Sequence, residues 1–177
     1  SRGLGDVYKR QRRLFHENSG RCLDVAVDHG FFGEHSFLTG IQNARAAVDV
    51  LVAAAPDAIQ LTLGNAALLQ DRPGRHKPSL VLRSDVANVY GANLPDVTYS
   101  IPIEAAAETA VRLDAACLVV NVFDMPGQPD LRRQCIANVL RLRRECDLLG
   151  MPLMVEPLVL RASHDGGACP LYTSDAA

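Results

Sequence analysis

Several residue types are scarce in this 177-residue chain, and their scarcity narrows the classes of protein to which it can belong. There is no tryptophan, aromatic residues make up 5%, and lysine occurs only at positions 9 and 77. The net charge is −2, so neither nucleic acid nor anionic lipid is expected as a partner. No apolar run approaches the ~20 residues of a membrane span, and no signal peptide is recognisable. We therefore expect a cytoplasmic α/β protein built largely from Ala, Val and Leu.

Cysteine pairs with metal-binding spacing are also lacking. None of the five cysteines belongs to a CxxC motif, and Cys169 lies close to the end of the chain. The other four are widely spaced within apolar strands or a helix, which predicts buried free thiols in a reducing compartment rather than disulfides or a metal site. These four are Cys22, Cys117, Cys135 and Cys146.

Both ends of the chain read as foreign sequence. Positions 6–11 read DVYKRQ, which the codons GAT GTG TAT AAG AGA CAG encode, and positions 171–174 read LYTS, which the reverse complement of those codons encodes in a shifted frame. One inverted DNA element explains both, and it resembles the transposon adapter used to prepare sequencing libraries. We predict tails at 1–11 and 168–177 around a native stretch at 12–167, and we expect the tails to contribute nothing to the native fold.

From residue 21 onward, short apolar runs alternate with longer helical patterns. Strands that are apolar on both faces and joined by helices predict a parallel sheet covered by helices. No GxGxxG motif or P-loop marks an open nucleotide-binding sheet, and a complete barrel typically needs ~250 residues. We therefore predict a (β/α)8 TIM barrel truncated to about its first five β/α units. The predicted strands cover 22–28, 58–63, 79–85, 116–123 and 153–156, and the helices 41–55, 65–70, 103–113 and 131–149.

Polar side chains cluster where these predicted strands end. In a barrel of this type the carboxyl ends of all the strands meet at one mouth, where catalytic residues lie. Hydrogen-bonding groups at that mouth are candidates for contact with a substrate. The candidates are Asp28, His29, Ser84, Asp85, Asn121 and Glu156.

Three segments carry a resemblance to a known family. They are VAVDHGFFGEHSFLTGIQNAR at 25–45, PDAIQLTLGNAALL at 56–69, and MPLMVEP at 151–157. Together they resemble the archaeal-type class I fructose-bisphosphate aldolases, whose superfamily includes deoxyribose-phosphate and tagatose-bisphosphate aldolases. The resemblance covers 21–161. It implies a lyase that works on a phosphorylated sugar or related ketone, without a cofactor, in a parent protein that is a homo-oligomer.

The resemblance also implies roles for the candidate residues. In the family, a lysine on strand six forms an imine with the substrate carbonyl. Asp28 corresponds to the strand-one carboxylate that moves protons, and Glu156 suits a second acid or a partner for the lysine ammonium. We expect the other four candidates to bind substrate: His29, Ser84, Asp85 and Asn121. The structural alternatives are a turn cap for Asp28 and an ion pair with an arginine for Glu156.

The family's lysine is absent from this sequence. Lys77 precedes the third predicted strand, which places it at the rim opposite the mouth. We therefore expect this chain alone to be inactive, and its open strand edges to make independent folding poor. Two alternatives are a catalytically silent barrel with a binding role and a related acyl-transfer enzyme of the thiolase type. A metal site formed by Asp28, His29, Glu34 and His35 is disfavoured, because adjacent residues do not present ligands on one face.

Overall fold

A computed structural model of the chain describes residues 2–74, 76–90, 94–162 and 168–170. Its helices are α1 (Arg2–Gln11), α2 (Ala44–Ala54), α3 (Ala67–Gln70), α4 (Ala106–Arg112) and α5 (Pro129–Leu149). Its strands are β1 (Asp24–Ala26), β2 (Ala58–Leu61), β3 (Ser79–Arg83), β4 (Asp85–Ala87), β5 (Ser100–Pro102), β6 (Cys117–Asp124), β7 (Leu153–Ala162) and β8 (Ala168–Pro170).

Five parallel strands form the main sheet and curl into a half-barrel. Their spatial order is β1-β2-β3-β6-β7, and each strand pairs in parallel with the next. Each of the four connections between these strands contains a helix, as expected for parallel pairing. The predicted fold, a partial TIM barrel, is confirmed. Strand β8 adds to the far edge of β7 in the antiparallel direction.

The two faces of the half-barrel differ in chemistry. The outer face carries Leu80, Leu82 and Leu118, which pack with helix residues such as Val48 and Leu142 in the largest buried cluster. The inner face changes along the strands from apolar to polar. Its last layer, at the carboxyl ends of the strands, consists of Gln60, Arg83, Asn121 and Glu156. Because side chains alternate along a strand, every second residue of these runs points into the barrel.

Helix α5 fixes the geometry between β6 and β7. It begins at Pro129, whose missing N–H costs nothing in the first turn, and it ends at Gly150, which adopts a left-handed conformation with φ 63°. Its buried side chains recur every three or four residues, so one stripe faces the sheet. That stripe is Leu131, Cys135, Asn138, Leu142 and Cys146.

The third predicted strand is split at Ser84, which corrects the predicted range 79–85. The N–H of Ser84 donates to the Val119 carbonyl at 2.9 Å, but its own carbonyl accepts from the N–H of Ile103 at 2.7 Å. The chain therefore leaves the parallel sheet at this residue. Strand β4 then pairs with β5 in an antiparallel ribbon, where the sequence suggested a long loop.

The fifth strand is longer than the predicted 153–156. Strand β7 runs to Ala162 because β6 pairs with it as far as Asp124 and Val159, and β8 pairs with its last residues. Residues along this strand alternate between an exposed face, which includes Val155 and Val159, and an inner face.

Both predicted tails contain described residues. Helix α1 lies within the first tail and contacts α5, and Arg10 donates to the Ala115 carbonyl at 2.9 Å. Strand β8 lies within the second tail, whose positions 171–177 are outside the described residues. The foreign origin of the tails stays a prediction. In the described part of the chain, no helix combines the length and the apolar character needed to cross a bilayer.

The cysteine prediction holds for three residues and is wrong for one. Cys117, Cys135 and Cys146 are buried free thiols, but Cys22 is exposed because it precedes β1 instead of lying within it. Burial raises the pKa of Cys117 and of Cys146 to about 12, so both remain protonated and unreactive.

Two leucines on the same helix test the packing of α5. Leu142 is 1% exposed and Leu140 is 63% exposed. Replacing Leu142 by alanine should lower the free energy of unfolding by about 2–5 kcal/mol, because it leaves a cavity. The same change at Leu140 should alter it by less than about 0.5 kcal/mol. Urea denaturation of the two variants measures both values, and similar losses would show that the helix faces are misassigned.

Candidate active site

A cavity of about 580 Å³ opens at the carboxyl ends of the parallel strands. One part of its lining is polar and comes from the ends of five strands or the loops that follow them. Another part of the lining is apolar and aromatic, with Phe32, Phe37, Tyr90 and Leu158. The guanidinium carbon of Arg83 lies 5.6 Å from the centroid of the Phe32 ring, so the two parts adjoin. The position matches the mouth at which barrel enzymes carry their catalytic groups. The polar lining residues are Asp28, His29, Gln60, Arg83, Asn121 and Glu156.

The guanidinium of Arg83 joins the carboxylates at this mouth. Its Nε lies 2.5 Å from Asp28 Oδ2, one terminal nitrogen lies 3.2 Å from Asp85 Oδ1, and the other binds Glu156 Oε2. Arg83 is only 2% exposed, and its planar fork reaches three carboxylates at once. Burial by itself lowers the pKa of Arg83, but Asp28, Asp85 and Glu156 outweigh that effect and raise it above the ordinary value. The arginine is therefore permanently charged.

Asp85 pairs with Arg83 outside the lining of the cavity. It is fully buried, and its Oδ2 accepts a hydrogen bond of 3.0 Å from Ser100 Oγ. The backbone N–H of Asn121 lies 3.3 Å from both carboxylate oxygens. These bonds fix β4, β5 and β6 relative to Arg83. Asp85 is thus placed to position its neighbours, and it does not line the cavity.

Several buried polar atoms around the cavity have no hydrogen-bond partner among the described residues. They are Nδ1 of His29, Oε1 of Gln60, and both amide atoms of Asn121. A buried polar group without a partner costs free energy, and such groups are uncommon outside functional sites. Whichever way the amide of Asn121 is turned, it offers one donor and one acceptor. The cavity is therefore equipped to bind a small ligand that has both kinds of group.

Asp24 adds a further carboxyl group to the interior, four residues before Asp28 on the same strand face. The pKa of Asp24 is raised to about 6, first by burial and then by the negative charges of Glu156 and Asp28, which outweigh the lowering effect of Arg83. Its Oδ1 has no hydrogen-bond partner among the described residues. The carboxyl group is thus more easily kept in its neutral form than an ordinary aspartate.

The structure brings together four of the six predicted site residues. Asp28, His29, Asn121 and Glu156 all line the one cavity. Asp28 makes no capping hydrogen bond in the turn that follows it, so the turn-cap alternative does not apply. Glu156 does bind an arginine, as its structural alternative proposed. The functional roles of these residues stay predictions.

The remaining two predicted residues lie outside the lining. Ser84 Oγ donates to the Val119 carbonyl at 2.7 Å and is fully buried, and Asp85 is held by the cluster described above. Both residues lie at the point where the chain leaves the parallel sheet. Direct contact between Ser84 and a substrate would break its bond to the sheet, so a binding role is not supported by this placement.

Sequence reasoning missed the importance of Arg83 and Gln60. Gln60 Nε2 donates to Asp28 Oδ2 at 3.0 Å, and Arg83 Nε donates to the same oxygen. Both residues interrupt otherwise apolar buried strands, AIQL and SLVLR, at inward-facing positions. A lone polar residue inside a buried strand was the available signal, because it must find a partner there.

Lys77 lies away from the cavity, as predicted. It precedes β3, and its ammonium donates to the carbonyls of Leu69 and Gln70 at 3.3 and 2.7 Å. Within the described ranges, no three His, Cys, Asp or Glu side chains are grouped as ligands of one metal ion. Glu34, part of the disfavoured metal cluster, accepts instead from the N–H of Ser36 at 2.9 Å.

A half-barrel with a carboxylate-rich mouth is the architecture of one part of a TIM-barrel enzyme. A family model described as DeoC/LacD family aldolase matches residues 22–177. The chain therefore belongs to the DeoC/LacD aldolase family. No curated protein matches the sequence.

Among solved structures, the chain is similar to the crystal structure of Cgl0159 from Corynebacterium glutamicum. The TM-score is 0.64 at 16% sequence identity, and the match covers 97% of this chain and 61% of the other. At this identity the likeness concerns the fold alone. The chain thus spans about three-fifths of the length of that protein.

Asp24 gives the structure a predictable pH dependence. Because its pKa is higher in the folded protein than in the unfolded chain, folding binds protons, and stability falls as pH rises from about 4 to about 6. Asp24→Asn should remove this loss. We expect the variant to exceed the parent in unfolding free energy by about 1 kcal/mol at pH 7.5, a value reduced for partial solvation, and to differ little at pH 4. Urea titrations at both pH values measure the difference, and an equal difference at both would contradict the assignment.

Proposed function

We propose that this chain supplies one part of the active site of a class I aldolase, which breaks or forms a carbon–carbon bond through an imine. The observation that carries the proposal is the cavity at the strand ends, where two carboxylates and several unpartnered polar atoms face one space. The family assignment supports the reaction class. The substrate is a phosphorylated sugar or related ketone, and the amine comes from a lysine on the next strand of the parent protein.

Asp28 is the proposed proton-transfer group. Its bonds to Arg83 and Gln60 both go to Oδ2, and no described residue donates to Oδ1. That oxygen is available to a substrate hydroxyl or to the carbon-bound proton next to an iminium. The fixed partners on Oδ2 hold the carboxylate in one orientation, which is what general acid–base catalysis requires.

Glu156 is the proposed partner of the amine. Its Oε2 binds Arg83, and Oε1 accepts no hydrogen bond from the described residues. Asp28, Asp85 and Glu156 carry three negative charges against the one positive charge of Arg83. When all are ionised, the net charge of −2 favours an ammonium or iminium at the mouth.

Neither lysine of the chain takes the place of that amine. Lys77 lies at the opposite rim and is bound by backbone carbonyls, and Lys9 lies in the predicted tail. We therefore propose that the chain alone has no aldolase turnover. The acyl-transfer alternative has less support, because no described cysteine lines the cavity and the inward-facing Cys117 has a pKa near 12. A lysine at the end of the next strand in the parent reading frame would favour the aldolase, and its replacement would favour a silent binding protein.

An added amine tests the proposal without the missing lysine. Ethylammonium, the protonated form of ethylamine, and dihydroxyacetone form an iminium and water. Asp28 would then remove a proton from the carbon next to the iminium carbon to give an enamine, and D₂O would return a deuteron to that carbon. We expect the protein to accelerate this amine-dependent exchange by about tenfold or more over ethylamine alone, since a positioned base typically contributes 10²–10⁴. Proton NMR in D₂O measures the exchange rate.

Two variants control the experiment. Asp28→Asn should abolish the acceleration, and Glu156→Gln should reduce it. Asp130→Asn, which changes an exposed aspartate on α5, should leave it unchanged. Circular dichroism checks that each variant is folded. Exchange that is not accelerated by the parent chain, or that survives Asp28→Asn, would reject the proposed role of the cavity.

A further inference from the structure

Part of the cavity lining is aromatic and uncharged. The Tyr90 ring lies 5.1 Å from that of Phe32, 4.8 Å from that of Phe37 and 5.9 Å from that of Phe123. Burial raises the pKa of Tyr90, so its phenol remains neutral. Leu158 packs against the same cluster. A continuous apolar surface therefore forms one side of the cavity.

The arginine on the charged side of the cavity is already paired with carboxylates. Among the described lining residues, Arg83 is the one arginine or lysine. Its Nε and both terminal nitrogens already bind Asp28, Asp85 and Glu156. Because these groups carry a net negative charge, a phosphate or carboxylate placed here would be repelled instead of bound.

The unpartnered atoms specify what the floor can bind. Asn121 offers one amide donor and one amide acceptor, and Gln60 Oε1 offers a further acceptor. A carbonyl oxygen satisfies the donor, and a hydroxyl group satisfies an acceptor. A hydroxy ketone or hydroxy aldehyde has this pair of groups, whereas a plain hydrocarbon or a carboxylate does not.

We propose that this part of the mouth binds the uncharged, apolar-substituted end of a hydroxy carbonyl substrate. The carbonyl and hydroxyl groups face Asn121 and Gln60, and the hydrocarbon substituent packs on Phe32, Phe37 and Tyr90. A phosphate carried by the substrate lies at its other end, away from these lining residues. This inference rests on the proposed function, since it names the substrate of the same cavity.

Three small probes test separately whether the cavity prefers an uncharged ligand and whether it prefers an apolar substituent. Dihydroxyacetone and its phosphate differ by one anionic group, and diacetone alcohol is a neutral hydroxy ketone with methyl substituents. Titrations of the chain followed by NMR should give the tightest binding for diacetone alcohol. Dihydroxyacetone should bind about threefold more weakly, and its phosphate roughly tenfold more weakly than dihydroxyacetone, in line with small losses of apolar contact and charge repulsion.

Variants assign the binding to the named residues. Phe37→Ala should weaken diacetone alcohol about fivefold and dihydroxyacetone by less than twofold, because it removes apolar surface only. Phe15→Ala, at a half-exposed phenylalanine outside the cavity, should change neither. Asn121→Ala should weaken both hydroxy ketones, and if it unfolds the chain, the Phe37 variant alone decides the assignment.

The outcomes separate this inference from the aldolase proposal. Binding in the expected order without amine-dependent exchange would support the specificity and overturn the lyase. Accelerated exchange together with equal or tighter binding of dihydroxyacetone phosphate would support the lyase and overturn the proposed specificity. No detectable binding of any probe by the parent chain, or an effect of Phe15→Ala as large as that of Phe37→Ala, would overturn the inference.

Discussion

The ion-pair cluster around Arg83 is the constraint on which the polar end of the half-barrel depends. One guanidinium receives a carboxylate from the end of β1, another from the start of β4, and a third from β7. Asp28, Asp85 and Glu156 must therefore lie at the same depth as the guanidinium of Arg83. Buried ions are tolerated only when they are paired and hydrogen-bonded, so the cluster strongly disfavours a shift in the register of any of these strands. The shape of the mouth follows from that condition.

Such a cluster is poorly explained by stability alone. Apolar residues of similar volume would fill the space at little cost, as they do one layer deeper at Val81 and Val119. A polar layer at the mouth, with an amide left unpartnered at Asn121, instead indicates a surface prepared for a ligand. The same arrangement explains why Arg83 is unsuitable as an anion site. Its charge is used to orient Asp28 and Glu156, whose second oxygens remain open to the cavity.

The sequence was sufficient to predict the fold class, because buried strands and amphipathic helices alternate with clear periods. It was also sufficient to place Asp28, Asn121 and Glu156 at one mouth, since parallel strands end at the same side of a barrel. It was insufficient at Ser84, where two backbone hydrogen bonds to distant strands redirect the chain. For that reason Ser84 and Asp85 were both expected to bind substrate. In the structure Ser84 donates to the Val119 carbonyl, and Asp85 pairs with Arg83. The role of Arg83 was missed because Asp28 and Glu156 are distant from it in the sequence. In addition, its three partners were each considered as a separate site residue.

The most direct test of this account is a double-mutant cycle between Arg83 and Asp28. Unfolding free energies are measured at pH 7 for the parent chain, Arg83→Met, Asp28→Asn and the double variant, with Arg112→Met and Glu108→Gln as an exposed ion pair for comparison. We predict a coupling of about 2 kcal/mol or more between Arg83 and Asp28, against at most about 0.5 kcal/mol for the exposed pair. Additive losses at Arg83 and Asp28, within about 0.3 kcal/mol, would show that the cluster does not organise the mouth.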